Sequence, residues 1–278
     1  METVAIVGVG LIGASFGLAL RKTGFAGEIL GVSSPSATDA AKEVGAISRE
    51  ASLEEAAARA DLLYLSQTVD RILRTIEDLG PLLRPGALVT DAGSTKMSVV
   101  KRAGECLPAG AFLGGHPMAG KETRGAAAAD ANLFQDRLYL LTPSGAEGDL
   151  AAEFRDWLHR IGAIPRDIDP EEHDRTVAFT SHLPQLLSTA LAAMLQAQGN
   201  PNLHAIHGPG LLDLTRLALS PFDLWSSILS ENRDFVLSAL DTYIEQLIRA
   251  RGAVESGHLH SLFVAARSFA AELRKESF

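Results

Sequence analysis

The sequence has little of what disulfide-stapled, membrane-bound or nucleic-acid-binding proteins need. A single cysteine, Cys106, cannot form an internal disulfide. Residues 1–20 carry neither the basic start nor the small-residue cleavage site of a secretory signal, and with the cysteine usage this gives the expectation of a cytoplasmic protein. No apolar stretch reaches the roughly 20 residues that span a bilayer, because even the Ala-rich tract near residue 190 is broken by Gln and Ser. Lys and Arg form no run, and 34 acidic against 25 basic residues leave no footprint for gripping nucleic acid or an anionic membrane. Internal repeats and low-complexity linkers are missing too. What is present is apolar: 46% hydrophobic residues over 278 positions suffice for one large domain or two ordinary ones. The expected partner is a small molecule.

The first half alternates short apolar runs with helical patterns. The runs are Thr3 to Val7, Ile29 to Val32, Leu62 to Leu65, Ala87 to Thr90, Phe112 to Leu113 and Leu138 to Leu141. Such alternation predicts β-α-β units and a doubly wound, mostly parallel sheet. Between two of these runs Val69, Ile72, Leu73, Ile76 and Leu79 recur at helical spacing until Pro81 stops them, as in a crossover helix. After Ile168 the strand signals vanish. Asp169-Pro170-Glu171-Glu172 reads as an N-cap, a proline at the first helical position and a capping-box acid. One long helix is expected from there to about Gln198, ended by Gly199 and Pro201, with further helices from Pro221 to Arg251 and from about His258 to Arg274. The switch from strands to helices divides the chain into residues 1–168 and residues 169–278. The helical part carries Leu, Ile and Ala on more than one face, which about 110 residues could not bury alone, so a homodimer through these helices is expected.

Gly8-Val9-Gly10-Leu11-Ile12-Gly13 follows the first strand directly and opens the amphipathic run Ala14 to Lys22. Gly8 permits a tight turn, Gly10 lets backbone approach a pyrophosphate, and Gly13 lets helix and strand pack closely, with the helix N-terminus facing the anion. A glycine triplet alone is weak, but its place between a strand and a helix at the start of an alternating pattern makes a Rossmann-type dinucleotide site the reading. Leu11 and Ile12 lie in the same turn. About twenty residues beyond the last glycine, where an acidic residue usually binds the ribose hydroxyls, stands Ser33. Ser33 and Ser34 offer hydroxyls and no carboxylate to a 2′-phosphate, yet no Arg stands beside them in sequence. NAD and NADP both remain open, with the balance toward NADP.

Four further segments are polar where a scaffold has no need of it. Asp91-Ala92-Gly93-Ser94-Thr95-Lys96 follows a strand at the carboxyl edge of the sheet, where ligands bind in open α/β folds. Ser94 there either donates to substrate or merely caps a helix starting near Thr95. Gly114-Gly115-His116-Pro117-Met118-Ala119-Gly120 is followed by Lys121-Glu122-Thr123-Arg124-Gly125. A lone histidine is usually structural, but His116 is held by a proline at a strand end and flanked by glycines that would let a ligand approach, which suits a general base or hydrogen-bond acceptor. In the helical half, Thr180-Ser181-His182-Leu183-Pro184-Gln185 sets a proline inside a helical pattern, a cost of roughly 3 kcal/mol that a functional kink would explain. Gly208-Pro209-Gly210-Leu211-Leu212-Asp213-Leu214-Thr215-Arg216 leads into an apolar helix. Arg216 either pairs with Asp213 or Glu231 or binds an anionic ligand.

Taken together, GVGLIGAS, DAGSTK, GGHPMAGKETRG, TSHLPQ and GPGLLDLTR followed by Trp225 resemble, in the same order, the prephenate and arogenate dehydrogenases of tyrosine biosynthesis. The resemblance runs from residue 3 to about residue 235. The 3-hydroxyisobutyrate and 6-phosphogluconate dehydrogenases share the two-domain plan but lack the His-Pro-Met-Ala-Gly segment. The resemblance implies NAD(P)-dependent oxidative decarboxylation of prephenate to 4-hydroxyphenylpyruvate and carbon dioxide, driven by aromatisation of the ring. His116 would accept the hydroxyl hydrogen bond with Ser94 in support, and Arg216 would hold a substrate carboxylate with its bidentate fork. His182 would line the pocket, and Gly208 would lie close to the substrate, from its own or the other subunit. Where the family often reads Ser-His-Leu-Pro-His, this chain has Gln185, a neutral amide that bears on the choice between prephenate and arogenate. Prephenate is the expected substrate, with arogenate, or both, as the alternative. More distant rivals are another hydroxy-acid dehydrogenase and a non-catalytic, NAD(P)-sensing dimer, against which the intact His116, Ser94 and Arg216 argue. With neither a fused mutase domain before the dinucleotide strand nor a regulatory domain after the helices, tyrosine is expected to act only by competing at the active site.

Overall fold

A computed structural model describes residues 1–121, 123–145 and 148–275. Its packing divides the chain into two units, Met1–Asp174 with Leu219–Glu231, and Arg175–Ala218 with Asn232–Phe278.

The first unit is built on the strands β1 (Thr3–Val7), β2 (Glu28–Val32), β3 (Arg49–Glu50), β4 (Leu62–Leu65), β5 (Leu88–Asp91), β6 (Phe112–Pro117), β7 (Leu138–Pro143) and β8 (Ile164–Asp167). Among the described residues they form one sheet in the order β3-β2-β1-β4-β5-β6-β7-β8. Neighbours run parallel except β6 and β7, which pair antiparallel with His116 opposite Leu140. The connecting helices are α1 (Leu11–Lys22), α2 (Pro35–Glu43), α3 (Leu53–Arg59), α4 (Val69–Leu79), α5 (Met97–Cys106) and α6 (Asp149–Arg160).

This is a doubly wound Rossmann-type sheet whose strand order reverses between β1 and β4, so a crevice opens beyond the carboxyl ends of those strands. Helices cover both faces, which is why β1 and β4 are unbroken apolar runs rather than alternating ones. One face packs Phe16, Tyr64, Phe134, Tyr139 and Phe154, with the Phe16 and Tyr64 rings stacked at 4.1 Å. The other packs Ile72 and Ile76 of α4 against Val89 and Val99. Each such side chain contributes about 1.5–3 kcal/mol by leaving water.

Two strands escaped the sequence reading because they lie at the sheet edges. β3 has two residues, and β8 reads Ile-Pro-Arg-Asp, with the proline and charges that edge strands use to block further pairing.

The helical half contains α7 (Pro170–Val177), α8 (Leu183–Ala197), α9 (Asn202–Ala205), α10 (Pro209–Thr215), α11 (Phe222–Glu231), α12 (Arg233–Ser256) and α13 (His260–Lys275). Asp169 caps α7, its Oδ1 accepting from the backbone of Glu171 at 2.9 Å and Glu172 at 3.2 Å. The single long helix expected to Gln198 is two helices joined by a π-type turn at Ala178–His182. That wider turn leaves Pro184 in the first turn of α8, where its missing N–H and its ring do least harm. Likewise the helix expected from Pro221 to Arg251 breaks at Asn232, a buried residue whose Nδ2 donates to His182 Nδ1 at 3.1 Å. The break has a topological consequence: Leu219–Glu231, with α11, packs into the first unit, where α11 meets α4.

In the second unit α12 and α13 leave Ile244, Leu247, Ile248, Phe263 and Phe269 exposed. Among the described residues no helix is long and apolar enough to cross a membrane.

Candidate active site

The glycine turn separates two reasons for having no side chain. At Gly8 φ is +94°, and a Cβ would come within 2.9 Å of the Ser66 carbonyl oxygen. At Gly13 a Cβ would lie 2.3 Å from the Gly8 carbonyl oxygen and 2.4 Å from Ser66 Oγ. Both positions are dictated by the protein's own packing. Gly10 is not: its backbone is extended at φ −76°, and a Cβ would meet nothing within 4 Å. That open space sits at the start of α1, which Gly10 caps without a side-chain hydrogen bond, so the first N–H groups of the helix face outward. A backbone cradle that a Cβ would fill, at a helix N-terminus, fits the pyrophosphate of a dinucleotide.

Two cavities flank the turn. One, of about 420 Å³, is lined by Gly10, Leu11 and Ile12, by Ser94 and His116, by Thr123 and Arg124, and by Leu219, Pro221 and Leu224. Thus Leu11, Ile12, Ser94 and His116 are brought together as the sequence suggested. Glu122 of the same segment lies outside the described residues. Ser94 does not cap a helix, because α5 begins at Met97 and its N-cap residue is Lys96. The other cavity, of about 380 Å³, is lined by Gly8, Ser33, Ser34, Gln67, Thr68 and Arg71. Arg71 is a residue that sequence reasoning missed. It sits in the first turn of α4, thirty-eight positions beyond Ser33, and only the β1–β4 neighbourhood brings it to the serine pair.

His116 is the buried end of β6. Its Nδ1 lies 2.9 Å from His173 Nε2, and His173 Nδ1 lies 2.8 Å from Asp174 Oδ1. Asp174 in turn accepts from the backbone N–H groups of Lys96 at 2.7 Å and Met97 at 2.9 Å, which ties α7 to the start of α5. Burial pushes the His173 imidazole below its ordinary value against the opposing pull of Asp174. Beneath lies a fully buried ion pair between Lys96 and Asp91, whose carboxylate also accepts from the backbone of Gly93 at 2.8 Å and Gly115 at 3.0 Å. Desolvation lowers the Lys96 ammonium from its usual range, and Asp91 opposes that shift.

The glycines before His116 serve packing, not ligand approach as the sequence reading supposed. A Cβ at Gly114 would lie 2.1 Å from Thr142 Oγ1 on β7, and one at Gly115 would lie 2.5 Å from the Asp91 carbonyl oxygen on β5. The open glycines are the later ones, Gly120 and Gly125, both lining the His116 cavity.

Comparison with known proteins gives the site its family. Residues 16–164 match the family described as prephenate dehydrogenase, nucleotide-binding domain, and residues 169–267 match prephenate dehydrogenase, dimerization domain. The chain belongs to the prephenate dehydrogenase family. The prephenate dehydrogenase of Bacillus subtilis (strain 168) is 33% identical over 269 residues, covering 94% of this chain and 72% of that protein. The crystal structure of prephenate dehydrogenase from A. aeolicus in complex with hydroxyphenyl propionate and NAD+ superposes with a TM-score of 0.90 at 29% identity, covering 99% of this chain and 98% of that one. The Synechocystis arogenate dehydrogenase gives a TM-score of 0.82 at 28% identity, over 98% of this chain and 99% of that one. The chain is therefore an NAD(P)-dependent oxidoreductase of the prephenate and arogenate dehydrogenase kind.

The remaining residues that the family resemblance singles out belong to the second unit. His182 is buried at the end of the π-type turn and is held by Asn232. Gln185 is buried too, and its Nε2 donates to the Leu217 carbonyl oxygen at 2.9 Å and to Thr189 Oγ1 at 3.2 Å. Its amide therefore anchors the end of the Arg216 segment to α8, a part no pattern in the sequence indicated. Gly208 is the exposed N-cap of α10, and Arg216 opens an exposed 3₁₀ turn, Arg216–Leu219.

Proposed function

We propose that the chain oxidises prephenate to 4-hydroxyphenylpyruvate and carbon dioxide, with His116 as the group that takes the proton of the substrate hydroxyl. The observation that carries the proposal is the cavity itself, which His116 and Ser94 line together with the Gly10–Ile12 turn. A nicotinamide dinucleotide would supply the hydride acceptor. The Gly10 backbone and the α1 N-terminus would hold its pyrophosphate in a turn whose shape Gly8 and Gly13 set, with Leu11 and Ile12 as the apolar wall beside it. His116 draws the proton from the ring hydroxyl as that carbon becomes a carbonyl, and Ser94 supports the same oxygen by hydrogen bonding. Loss of the ring carboxylate then makes the ring aromatic, so the protein needs chiefly to orient the substrate. Arg216 binds one substrate carboxylate, with His182, Gln185 and Gly208 as further substrate-binding residues of its half; Arg124, which lines the His116 cavity, offers a second guanidinium to a dicarboxylate.

NADP is proposed as the preferred cofactor. Ser33 and Ser34 place no carboxylate against a 2′-phosphate, and Arg71 lines their cavity with the cation that the neighbouring sequence lacks. The protein is proposed to work as a cytoplasmic homodimer through α12 and α13, whose exposed Ile, Leu and Phe side chains need a cover. Residues 1–168 and 169–278 are the proposed dinucleotide-binding and substrate-binding halves.

His116→Asn, assayed with prephenate and each cofactor, tests the chemistry. Activity should fall by at least a hundredfold with dinucleotide affinity unchanged, and near-normal turnover would remove His116 from the mechanism. Arg71→Ala should lower kcat/KM with NADP while leaving NAD turnover within about twofold.

A further inference from the structure

Resting on that role for His116, we infer that His173 and Asp174 are positioning residues that fix the tautomer of His116 and hold the charge it acquires during turnover.

The chain of contacts has one consistent set of protons. Asp174 accepts from the backbone N–H of Lys96 at 2.7 Å and of Met97 at 2.9 Å, so it faces His173 as an acceptor. A carboxylate only accepts, and His173 Nδ1 at 2.8 Å must therefore carry the N–H. A neutral imidazole has one N–H, which leaves His173 Nε2 as a lone pair. That lone pair lies 2.9 Å from His116 Nδ1, which must then be the donor. The tautomer of neutral His116 that this chain of contacts selects carries its hydrogen on Nδ1 and its lone pair on Nε2.

Burial favours the same assignment. His173 is 0% and Asp174 1% exposed, so water offers no competing partner. Of the charged groups that act on His173, Asp174 on α7 and Asp91 at the end of β5 favour a proton there and Lys96 at the start of α5 disfavours it.

Turnover changes the charge and not the connectivity. The substrate O–H bond breaks and its electron pair forms the second C–O bond of the carbonyl, the hydrogen on that carbon would leave with its pair as hydride to the nicotinamide, and the proton goes to His116 Nε2. The resulting imidazolium donates through Nδ1 to His173 Nε2, a bond that becomes charge-assisted, with Asp174 behind it. A histidine at position 173 matters because few side chains can accept from His116 and donate to Asp174 at once.

Asp174→Asn tests the assignment. An asparagine removes the anion and sets its NH2 against one of the two backbone N–H groups that Asp174 accepts from, so the hold on His173 Nδ1 is weakened and the charge behind His116 is lost. The expected result is a fall in kcat of at least a hundredfold, with the KM for dinucleotide within about twofold and the acid limb of kcat/KM moved to lower pH, because the imidazolium has lost its anion. A lost kcat with an unmoved acid limb and raised KM values would mean a structural role only and would overturn the inference, as would full activity.

His173→Gln keeps one acceptor and one donor and should retain much more activity than His173→Leu; equal losses would also overturn it. Should these variants not fold, nitrogen NMR of the wild-type histidines reads the tautomer directly, with His116 expected protonated on Nδ1. Because that spectrum needs no substrate, it separates failure of the relay from failure of prephenate as substrate.

Discussion

The two glycines at the start of α1 should respond to the same substitution in opposite ways. At Gly10 the backbone is at φ −76° and a Cβ meets nothing within 4 Å, so Gly10→Ala adds no clash and removes freedom from the unfolded chain. Such a change stabilises by about 0.4–1 kcal/mol, a rise of roughly 1–4 °C in Tm for a protein of this size. The methyl group would nevertheless occupy the face where the pyrophosphate must approach, and dinucleotide affinity should fall by about tenfold or more, since each tenfold is about 1.4 kcal/mol. At Gly13 a Cβ falls 2.3 Å from the Gly8 carbonyl oxygen, which is backbone and cannot swing aside. Overpacking of that kind costs about 1–3 kcal/mol, so Gly13→Ala should lower Tm and weaken the cofactor together. Calorimetry of the free proteins and titration with NAD and NADP measure both quantities. If Gly10→Ala lowered Tm and left cofactor affinity intact, the division of roles within the turn would be wrong.

Other outcomes follow from the buried charges and the second unit. Lys96→Met leaves Asp91 buried without its cation, a loss of about 3–5 kcal/mol; a Tm within about 2 °C of wild type, roughly 1 kcal/mol or less, would contradict this. The His173 imidazole is held below its ordinary 6.5 by burial, so between the folded value and 6.5 the unfolded chain binds more protons. Stability must therefore fall as pH drops below 6.5, by up to about 1.4 kcal/mol per pH unit from this group, and His173→Gln should remove that part of the slope in pH-dependent denaturant melts. Arg216→Ala should raise the KM for substrate about tenfold to a hundredfold, the loss of about 1.5–3 kcal/mol from a hydrogen bond to a charged group, without changing the KM for dinucleotide. Ile248→Asp combined with Phe263→Asp should convert a dimer to a monomer in light scattering; a monomeric wild type would refute the helical interface.

How much of this was legible in the sequence depends on how far apart the partners lie. The central strands were readable because burial on both faces makes them continuous apolar runs, as in Leu62–Leu65. Edge strands carry no such signal, and β8 is polar because it ends the sheet. The glycine turn was local and legible as a motif, but only the packing around it separates Gly10, open to a ligand, from Gly13, pressed on Ser66. His116 and Ser94 were visible as polar residues at strand ends. Their supports were not, because His173 and Asp174 look like ordinary solvent-facing residues of a helix that begins Pro-Glu-Glu, and nothing at that position signals contact with residue 116. Arg71 was hidden for the same reason. Pro184 was taken for a kink in one helix, when a widened turn before it absorbs the strain.

The most direct test of the central claim is a product balance for the purified protein supplied with prephenate and NADP or NAD. Each prephenate consumed should give one reduced nicotinamide, one carbon dioxide and one 4-hydroxyphenylpyruvate, all lost together in His116→Asn. Turnover of arogenate but not prephenate, or dinucleotide binding with no reduction of either cofactor, would contradict it.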